Sequence, residues 1–480
     1  MRIGTARDVR RLDSSVIADY GIPQSVLMEN AAIAARDAIA ELWSIPGRDI
    51  LVVCGSGNNG GDGYALARLL YTRGAAVTVL AAGVPEKSGG AAAENARIVG
   101  RLPLEVLRLD ASPDPPLLKK LDFSRYDLIV DALFGIGLSR ELEGRMAALV
   151  KGINESGTAV LSLDIPSGID ADTGAVLGTA VRADATVAFG IPKRGNLLYP
   201  GYELGGRLYL SEISFPPEVT GDESMALSVN VPPLLPPRNP AGHKGSFGKV
   251  LVIGGSADYR GAPALAAMAA LRSGSGYVRL AVPADIVNQI FPLIPEAVFI
   301  PRESTGPMGS EHTDDLIEHA AAADSVVLGP GLSTAPESIR LARDLIAGIE
   351  KPLVVDGDAL TALSGREELT GDREFPTYLT PHPGEMARLL GSSIHEVETR
   401  RVEVAQEATD RYGCCVVLKG AHSIIAQPDG TAWINLTGNS GMGTAGSGDV
   451  LAGILGALIP RFDDDDAEVL RLAVYLHGLA

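Results

Sequence analysis

Short apolar runs alternate with longer stretches in which apolar positions recur every three or four residues, and this alternation continues along nearly the whole chain. In the first half, strand-like runs fall at Ile50–Cys54, Ala76–Ala81, Leu128–Ala132, Ala159–Leu163 and Thr186–Phe189, with a helical pattern from Tyr64 to Arg73. Residues 1–45 read as two helices. Thr5 is placed to cap the first, Pro23 opens the second, and Val26, Leu27, Ala31, Ile33 and Ala34 mark a buried stripe. The second half repeats the βα rhythm at Val250–Ile253, Ala262–Arg272, Val278–Val282, Ser325–Leu328, Leu353–Val355 and Cys415–Leu418. Such a rhythm predicts mostly parallel sheets covered on both faces, an α/β protein.

Five prolines fall in the eleven residues from Asn230 to Pro240, where neither a helix nor a central strand can continue. The expected organisation is therefore a domain over 1–224, a Pro-rich linker over 225–242 and a second domain over 243–480. The halves share no period, so two different domains are expected. A length of 480 residues suits two domains, and 46% apolar residues with 56 glycines suit a folded chain rich in βα turns.

A net charge of −18 argues against nucleic acid as a generic partner. Three cysteines exclude a disulfide scaffold, and Cys414 and Cys415 read as small core residues in a strand. Met1–Arg11 carries no apolar signal segment and no run reaches membrane-spanning length, which gives the expectation of a cytoplasmic protein.

At Val52-Val53-Cys54-Gly55-Ser56-Gly57-Asn58-Asn59-Gly60-Gly61-Asp62-Gly63 a strand runs into glycines ahead of a helix. That junction suits phosphate oxygens at the positive end of the helix. Asn58 and Asn59 offer amide groups to a cation or a ligand, and Asp62 is placed to grip a hydroxyl or a proton. Two further loops follow strands: Asp131-Ala132-Leu133-Phe134-Gly135-Ile136-Gly137-Leu138 and Asp164-Ile165-Pro166-Ser167-Gly168. All three should converge at the carboxyl ends of their strands. Asn59, Asp131 and Ser167 together offer oxygens to a hard cation. Asp164 stands alone in an apolar setting, where burial would raise its pKa and suit it to proton transfer.

With Leu27-Met28-Glu29-Asn30-Ala31, these motifs resemble the signature set of NAD(P)H-hydrate epimerases over roughly Met1 to Ser224. The resemblance implies a Rossmann-like three-layer domain that interconverts the R and S hydrates of NADH and NADPH. It implies substrate binding by Asn58, Asn59, Gly60, Gly61, Asp62, Gly135, Ile136, Gly137, Leu138, Ser139, Arg140, Glu141 and Asp164. Asp164 would be the proton-handling residue, and Asn59, Asp131 and Ser167 would bind potassium.

In the second half, Gly443-Thr444-Ala445-Gly446-Ser447-Gly448-Asp449 precedes an apolar helix. Gly446 and Gly448 can form an anion nest, and the Asp449 carboxylate beside it can take a proton from an acceptor hydroxyl. Strand-end motifs accompany it: Gly329-Pro330-Gly331, Val355-Asp356-Gly357-Asp358, Pro381-His382-Pro383-Gly384-Glu385 and Lys419-Gly420-Ala421-His422-Ser423. There is no Walker loop.

From about His243 to Ala480, with Lys244-Gly245, Phe247-Gly248 and Gly254-Gly255-Ser256, the chain resembles the ribokinase-like NAD(P)H-hydrate dehydratases. That implies a ribokinase-like three-layer domain using magnesium and ADP. Lys419, Gly420, Ala421, His422, Ser423 and Gly448 would contact nucleotide; Gly331, His382 and Asp449 would contact the hydrate. Asp449 would activate the hydrate hydroxyl for phosphorylation, and loss of phosphate would regenerate the dihydronicotinamide. No residue discriminates ADP from ATP. Fusion lets the dehydratase consume both epimers. Relatives usually continue through further helices past Leu476–Ala480, which puts the closing packing of the domain in question.

Two other readings stand beside this one: a small-molecule kinase fused to a nucleotide-binding domain, and a first domain that binds without catalysis. A homo-oligomer is expected, with the apolar N-terminal helices packing on another subunit or within the domain. Asp463 to Asp466 read as a solvated turn ahead of a helix, not as a metal site. His312, His319 and His395 carry no assigned role; His477, Trp43 and Trp433 read as packing residues.

Overall fold

The structure, a computed structural model, describes residues 1–83, 90–109, 116–232, 234–303, 306–371, 373–462 and 465–480. Pro233 of the proline-rich stretch and Asp463 and Asp464 of the acidic run lie outside them. The chain divides into two units, Met1–Met225 and Ala226–Ala480.

The first unit carries seven strands: β1 (Asp49–Cys54), β2 (Ala76–Ala81), β3 (Glu105–Arg108), β4 (Leu128–Ala132), β5 (Ala159–Leu163), β6 (Ala185–Phe189) and β7 (Arg207–Ser211). Their order is β3-β2-β1-β4-β5-β6-β7, all parallel. The chain leaves β1 toward one edge and returns to β4 on its other side. That reversal opens a crevice beyond the carboxyl ends of β1 and β4, where open α/β sheets bind ligands. The strands read from sequence are the apolar central ones, whereas β3 and β7 escaped notice. Both are edge strands with half-exposed residues and charges such as Glu105 and Arg207, so no continuous apolar run marks them.

The N-terminal helices span Ala6–Ala18 and Gln24–Leu42. Thr5 caps the first in a capping box: its Oγ1 accepts from Asp8 N (3.1 Å), and its own N donates to the Asp8 carboxylate (2.9 Å). The second buries Leu27, Met28, Ala31, Ala32, Ala35, Ala38 and Ile39 within the unit. Here the expected stripe is corrected: Val26 is exposed and Ile33 and Ala34 are only half-buried, because the helix rolls its alanine face onto the helix Asn58–Thr72.

That latter helix begins six residues before the expected Tyr64 and takes the glycines into its first turns. Close packing explains them. A side-chain carbon on Gly60 would stand 2.1 Å from Gly55 O, and one on Gly63 would stand 2.6 Å from Ala132 Cβ. Gly60 and Gly63 thus seat the helix on the sheet side, Gly61 packs against Met28 and Ala92 of the neighbouring helices, and the exposed amide end at Gly57–Asn58 faces the crevice.

The second unit forms a ten-stranded sheet from β8 (Leu227–Val229), β9 (Lys249–Ile253), β10 (Tyr277–Pro283), β11 (Val298–Arg302), β12 (Ser325–Leu328), β13 (Leu353–Val355), β14 (Thr377–Leu379), β15 (Cys415–Leu418), β16 (Ile424–Ala426) and β17 (Ala432–Ile434). The order is β11-β10-β9-β12-β13-β14-β15-β16-β17-β8, parallel from β11 to β15, with β15–β16 and β16–β17 antiparallel and β8 parallel to β17. β8, drawn from residues expected in the linker, closes one edge of this sheet. The short strands β14, β16 and β17 have three residues each and escaped notice in the sequence, whereas β13, equally short, is the all-apolar run expected at Leu353–Val355.

The glycine loop near the end leads into the helix Ser447–Leu458, which starts at Ser447 rather than after Asp449, with Gly446 at φ +92° as its N-cap. The helix lies close against Gly261–Arg272: a side-chain carbon on Gly453 would stand 2.0 Å from Ala266 O. Cys414 and Cys415 are both buried, although β15 begins at Cys415 and Cys414 precedes it. Asp465 caps the last helix, Asp466–Leu479, by accepting from Glu468 N (3.0 Å). No helix among the described residues is long and apolar enough to cross a membrane.

Candidate functional site

In the first unit the three strand-end loops converge. A cavity of about 660 Å³ is walled by Asn58, Asn59 and Asp62, by Leu133 to Leu138 and by Asp164, with Val9, Arg10, Asp13, Leu27 and Met28 closing it from the N-terminal helices. Ser139, Arg140 and Glu141 are exposed and lie outside this wall, which ends at Leu138. Gly60 and Gly61 likewise sit behind it, buried in helix packing.

Asp164 ends β5 with φ +69°, a conformation that a non-glycine residue holds only when its surroundings demand it. They do. Its backbone N donates to Val187 O (2.7 Å), its carbonyl accepts from Asn196 Nδ2 (3.1 Å), and Lys193 Nζ donates to its carboxylate. The Lys193 side chain is fully buried and also donates to Phe189 O (2.8 Å). The expectation that Asp164 stands alone in an apolar setting is thus corrected: a buried ammonium is its partner. Burial, then the charges of Asp164 and Asp13, push the Asp62 carboxyl well above the usual carboxylate range. Burial, then the Asp164 charge, raise Asp13 to about 6.

Asp131 is fully buried and accepts from Leu133 N (3.2 Å), Ser162 Oγ (2.9 Å), Ser167 N (2.8 Å) and Ser167 Oγ (2.6 Å). Ser167 Oγ also accepts from Phe134 N (2.9 Å). Burial nevertheless raises the Asp131 carboxyl against these bonds. Close to Gly135, Asn59 has both side-chain polar atoms buried without a hydrogen-bond partner. An orphaned amide oxygen and a costly buried carboxylate are what a hard monovalent cation would satisfy, so the donor set Asn59, Asp131 and Ser167 fits potassium.

In the second unit, Lys419 at the end of β15 gathers the chemistry. Its Nζ lies 2.8 Å from Asp356 Oδ1 and 3.9 Å from Glu385 Oε2. A side-chain carbon on Gly448 would stand 3.0 Å from the same Nζ, so the ammonium lies directly against the helix start. Thr380 Oγ1 donates to Asp356 Oδ1 (2.6 Å). His382 caps the helix Pro383–Leu390, its Nδ1 accepting from Gly384 N (3.0 Å) while its own N donates to Glu385 Oε2 (2.7 Å). Burial and the Asp356 charge push Asp449 up to about 6 against the pull of Lys419. Burial raises Glu385 to about 7. Burial and the Lys419 charge lower His382.

Lys419, Gly448, Asp449 and His382 therefore come together as expected residues. His422 is buried, Ala421 is exposed, and Ser423 Oγ donates to Gly420 O (3.2 Å), which folds that loop on itself. Gly331 packs on Tyr259 and Ala262, at the start of the helix after β9. Asp356 and Glu385 belong to motifs quoted from the sequence, yet their pairing with one lysine is tertiary.

Three contributors went unread: Lys193, Asp13 and Arg401. Arg401, almost fully buried, donates to Lys419 O (3.1 Å) and holds the nucleotide-type loop. Asp13 did leave a signal. Val9, Leu12 and Val16 mark a buried helical face, and Asp13 is an acid on that face.

A family model described as NAD(P)H-hydrate dehydratase matches residues 250–480. Another, described as YjeF-related protein N-terminus, matches residues 24–195. The chain is 45% identical over its whole length to the bifunctional NAD(P)H-hydrate repair enzyme Nnr of Thermofilum pendens, covering 91% of that protein. It is 38% identical, again over its whole length, to the enzyme of the same name from Moorella thermoacetica, covering 92% of it. Among solved structures, the ADP/ATP-dependent NAD(P)H-hydrate dehydratase of Bacillus subtilis is 33% identical, with a TM-score of 0.44, over 51% of this chain and 83% of that one. The chain belongs to the family of bifunctional NAD(P)H-hydrate repair enzymes, with an epimerase domain followed by an NAD(P)H-hydrate dehydratase domain.

Proposed function

We propose the following division of labour within this established activity. In the first unit the hydrate lies in the cavity, with its phosphates toward the amide end of the helix at Gly57–Asn58 and its modified ring toward Asp164. Asn58, Asn59, Asp62 and the Gly135–Leu138 loop hold it. Asp164, with the Lys193 ammonium bonded to its carboxylate, handles the proton that moves when the hydroxyl leaves. Asn59, Asp131 and Ser167 would hold a potassium ion, which supplies fixed positive charge for an anionic dinucleotide. The observation that carries this half is the carboxylate–ammonium pair in the cavity wall.

In the second unit Asp449 accepts the proton of the hydrate hydroxyl as phosphate is transferred to it. Gly448 and the first amides of its helix stabilise the transferring group. Lys419 and Ser423 contact the nucleotide, and His382 and Gly331 contact the hydrate. Magnesium would enter on the nucleotide phosphates and needs only one or two of these carboxylates. ADP is the proposed phosphate donor, and the proposed setting is a cytoplasmic homo-oligomer.

The test follows absorbance at 340 nm after full-length protein, magnesium and ADP are mixed with R/S NADH hydrate. Complete recovery is expected, and recovery of the S portion alone would sink the epimerase assignment. Replacing ADP by ATP in parallel decides the donor.

A further inference from the structure

The hydrate carries its hydroxyl on the carbon beside the ring nitrogen, because water adds to an enamine at that carbon. Exchanging the two faces of such a carbon breaks and remakes the C–O bond. The nitrogen lone pair forms C=N⁺ as the C–O bond breaks, and the oxygen takes a proton and leaves as water. Water then adds to the other face, the C=N⁺ electrons return to nitrogen, and the new hydroxyl group releases a proton. Protons balance, but one must be delivered and one accepted at two different places. A single fixed acid cannot attend both faces.

The cavity holds three carboxyl groups, from three different elements. Asp62 lies in the helix after β1, Asp164 at the end of β5, and Asp13 on the N-terminal helix. Asp164 is taken by Lys193, whereas among the described residues no side-chain hydrogen bond holds Asp13, on which the Lys193 ammonium acts only as a nearby charge. The helix that carries it is nonetheless pinned. Ala6 N donates to Asp172 Oδ1 (2.5 Å), Arg10 donates to Ile136 O in the opposite loop (3.0 Å), and Arg11 pairs with Asp222 (2.6 Å). Val9, Leu12 and Val16 bury the face that Asp13 shares. An acid kept on a buried face, lining the substrate cavity and held by no hydrogen bond among the described residues is placed for chemistry.

We infer that Asp13 is a further catalytic residue of the epimerase site, the carboxylate that accepts the proton of the adding water and returns it when the reaction runs backward. The inference rests on the epimerase reading of the first unit. Its raised pKa of about 6 suits the role, since a carboxylate mostly ionised at neutral pH with a proton affinity near ambient is a good base. The charged groups facing it are Arg10 on its own helix, Asp62, Asp164 and Lys193.

The experiment uses the full-length chain and an R/S mixture of NADH hydrate with magnesium and ADP or ATP. The fast phase at 340 nm reports S dehydration in the second unit, and the slow phase reports R-to-S exchange in the first. In Asp13→Asn the fast phase should stay within twofold of wild type, while the slow phase falls at least 100-fold, toward the uncatalysed rate. Asp13→Glu should recover at least tenfold over Asp13→Asn. The wild-type slow phase should rise with pH through about 6, and Asp13→Asn should lose that limb. A slow phase within threefold of wild type in Asp13→Asn overturns the inference. So does a slower phase that keeps the wild-type pH limb, which would mark a merely structural role. Recovery that stops at the S portion in wild-type protein would instead remove the epimerase reading and this inference with it.

Discussion

Single side chains carry the chemistry here through what burial does to their charge. Asp449, raised to about 6, has to be ionised to accept a proton. Burial disfavours the carboxylate, so protonation sets in at higher pH than in water, and activity is lost as pH falls through about 6. We expect dehydration kcat/KM to be level above pH 7 and to drop below 6. Asp449→Asn should cost about 10²–10⁴ in rate and flatten that limb, read from initial velocities across pH. Lys193 makes a second case. Lys193→Met would strand the Asp164 carboxylate, with a loss of about 3 kcal/mol of stability in the first unit and of R-to-S exchange, while S dehydration persists. Thermal unfolding beside the two-phase 340 nm assay would check both. Asp164 was legible as a strand-end acid. Its lysine partner was not, since the separation of 29 positions closes only when β5 and β6 lie side by side.

The two glycine-bearing helix starts show how elements set these positions. Both looked like loops in the sequence, and both are first turns of helices. In the first, glycine is demanded by contact with the sheet, so Gly60→Ala should destabilise by about 1–3 kcal/mol or more. A lower unfolding midpoint with a displaced Asn59 would show as weakened dependence of exchange on potassium. In parallel, replacing potassium by a bulky organic cation should slow epimer exchange in wild-type protein and leave S dehydration unchanged. A fast phase that also collapsed would place the ion's role elsewhere. The central strands could be read because parallel strands covered on both faces are continuous apolar runs. Edge strands β3 and β7, half in water, carry no such run.

Across the whole chain, two units each hold the residues for one reaction. Asp164→Asn and Asp449→Asn proteins, each unable to clear an R/S mixture alone, should therefore do so when mixed, with full recovery at 340 nm. Failure of the mixture would show that the substrate has to pass within one chain.

The amino-acid sequence determined the α/β class, the order of motifs, the family they resemble and the acids at the strand ends, because these depend on local pattern and on residue type. Tertiary structure decided which of those acids have partners. It brought Lys193 to Asp164 and Asp356 and Glu385 to Lys419, placed Asp13 in the cavity, left Asn59 without a partner and kept Ser139, Arg140 and Glu141 off its wall. The reason is that proton affinity and cation binding depend on desolvation and on charges distant in sequence, and only the folded sheet sets those distances.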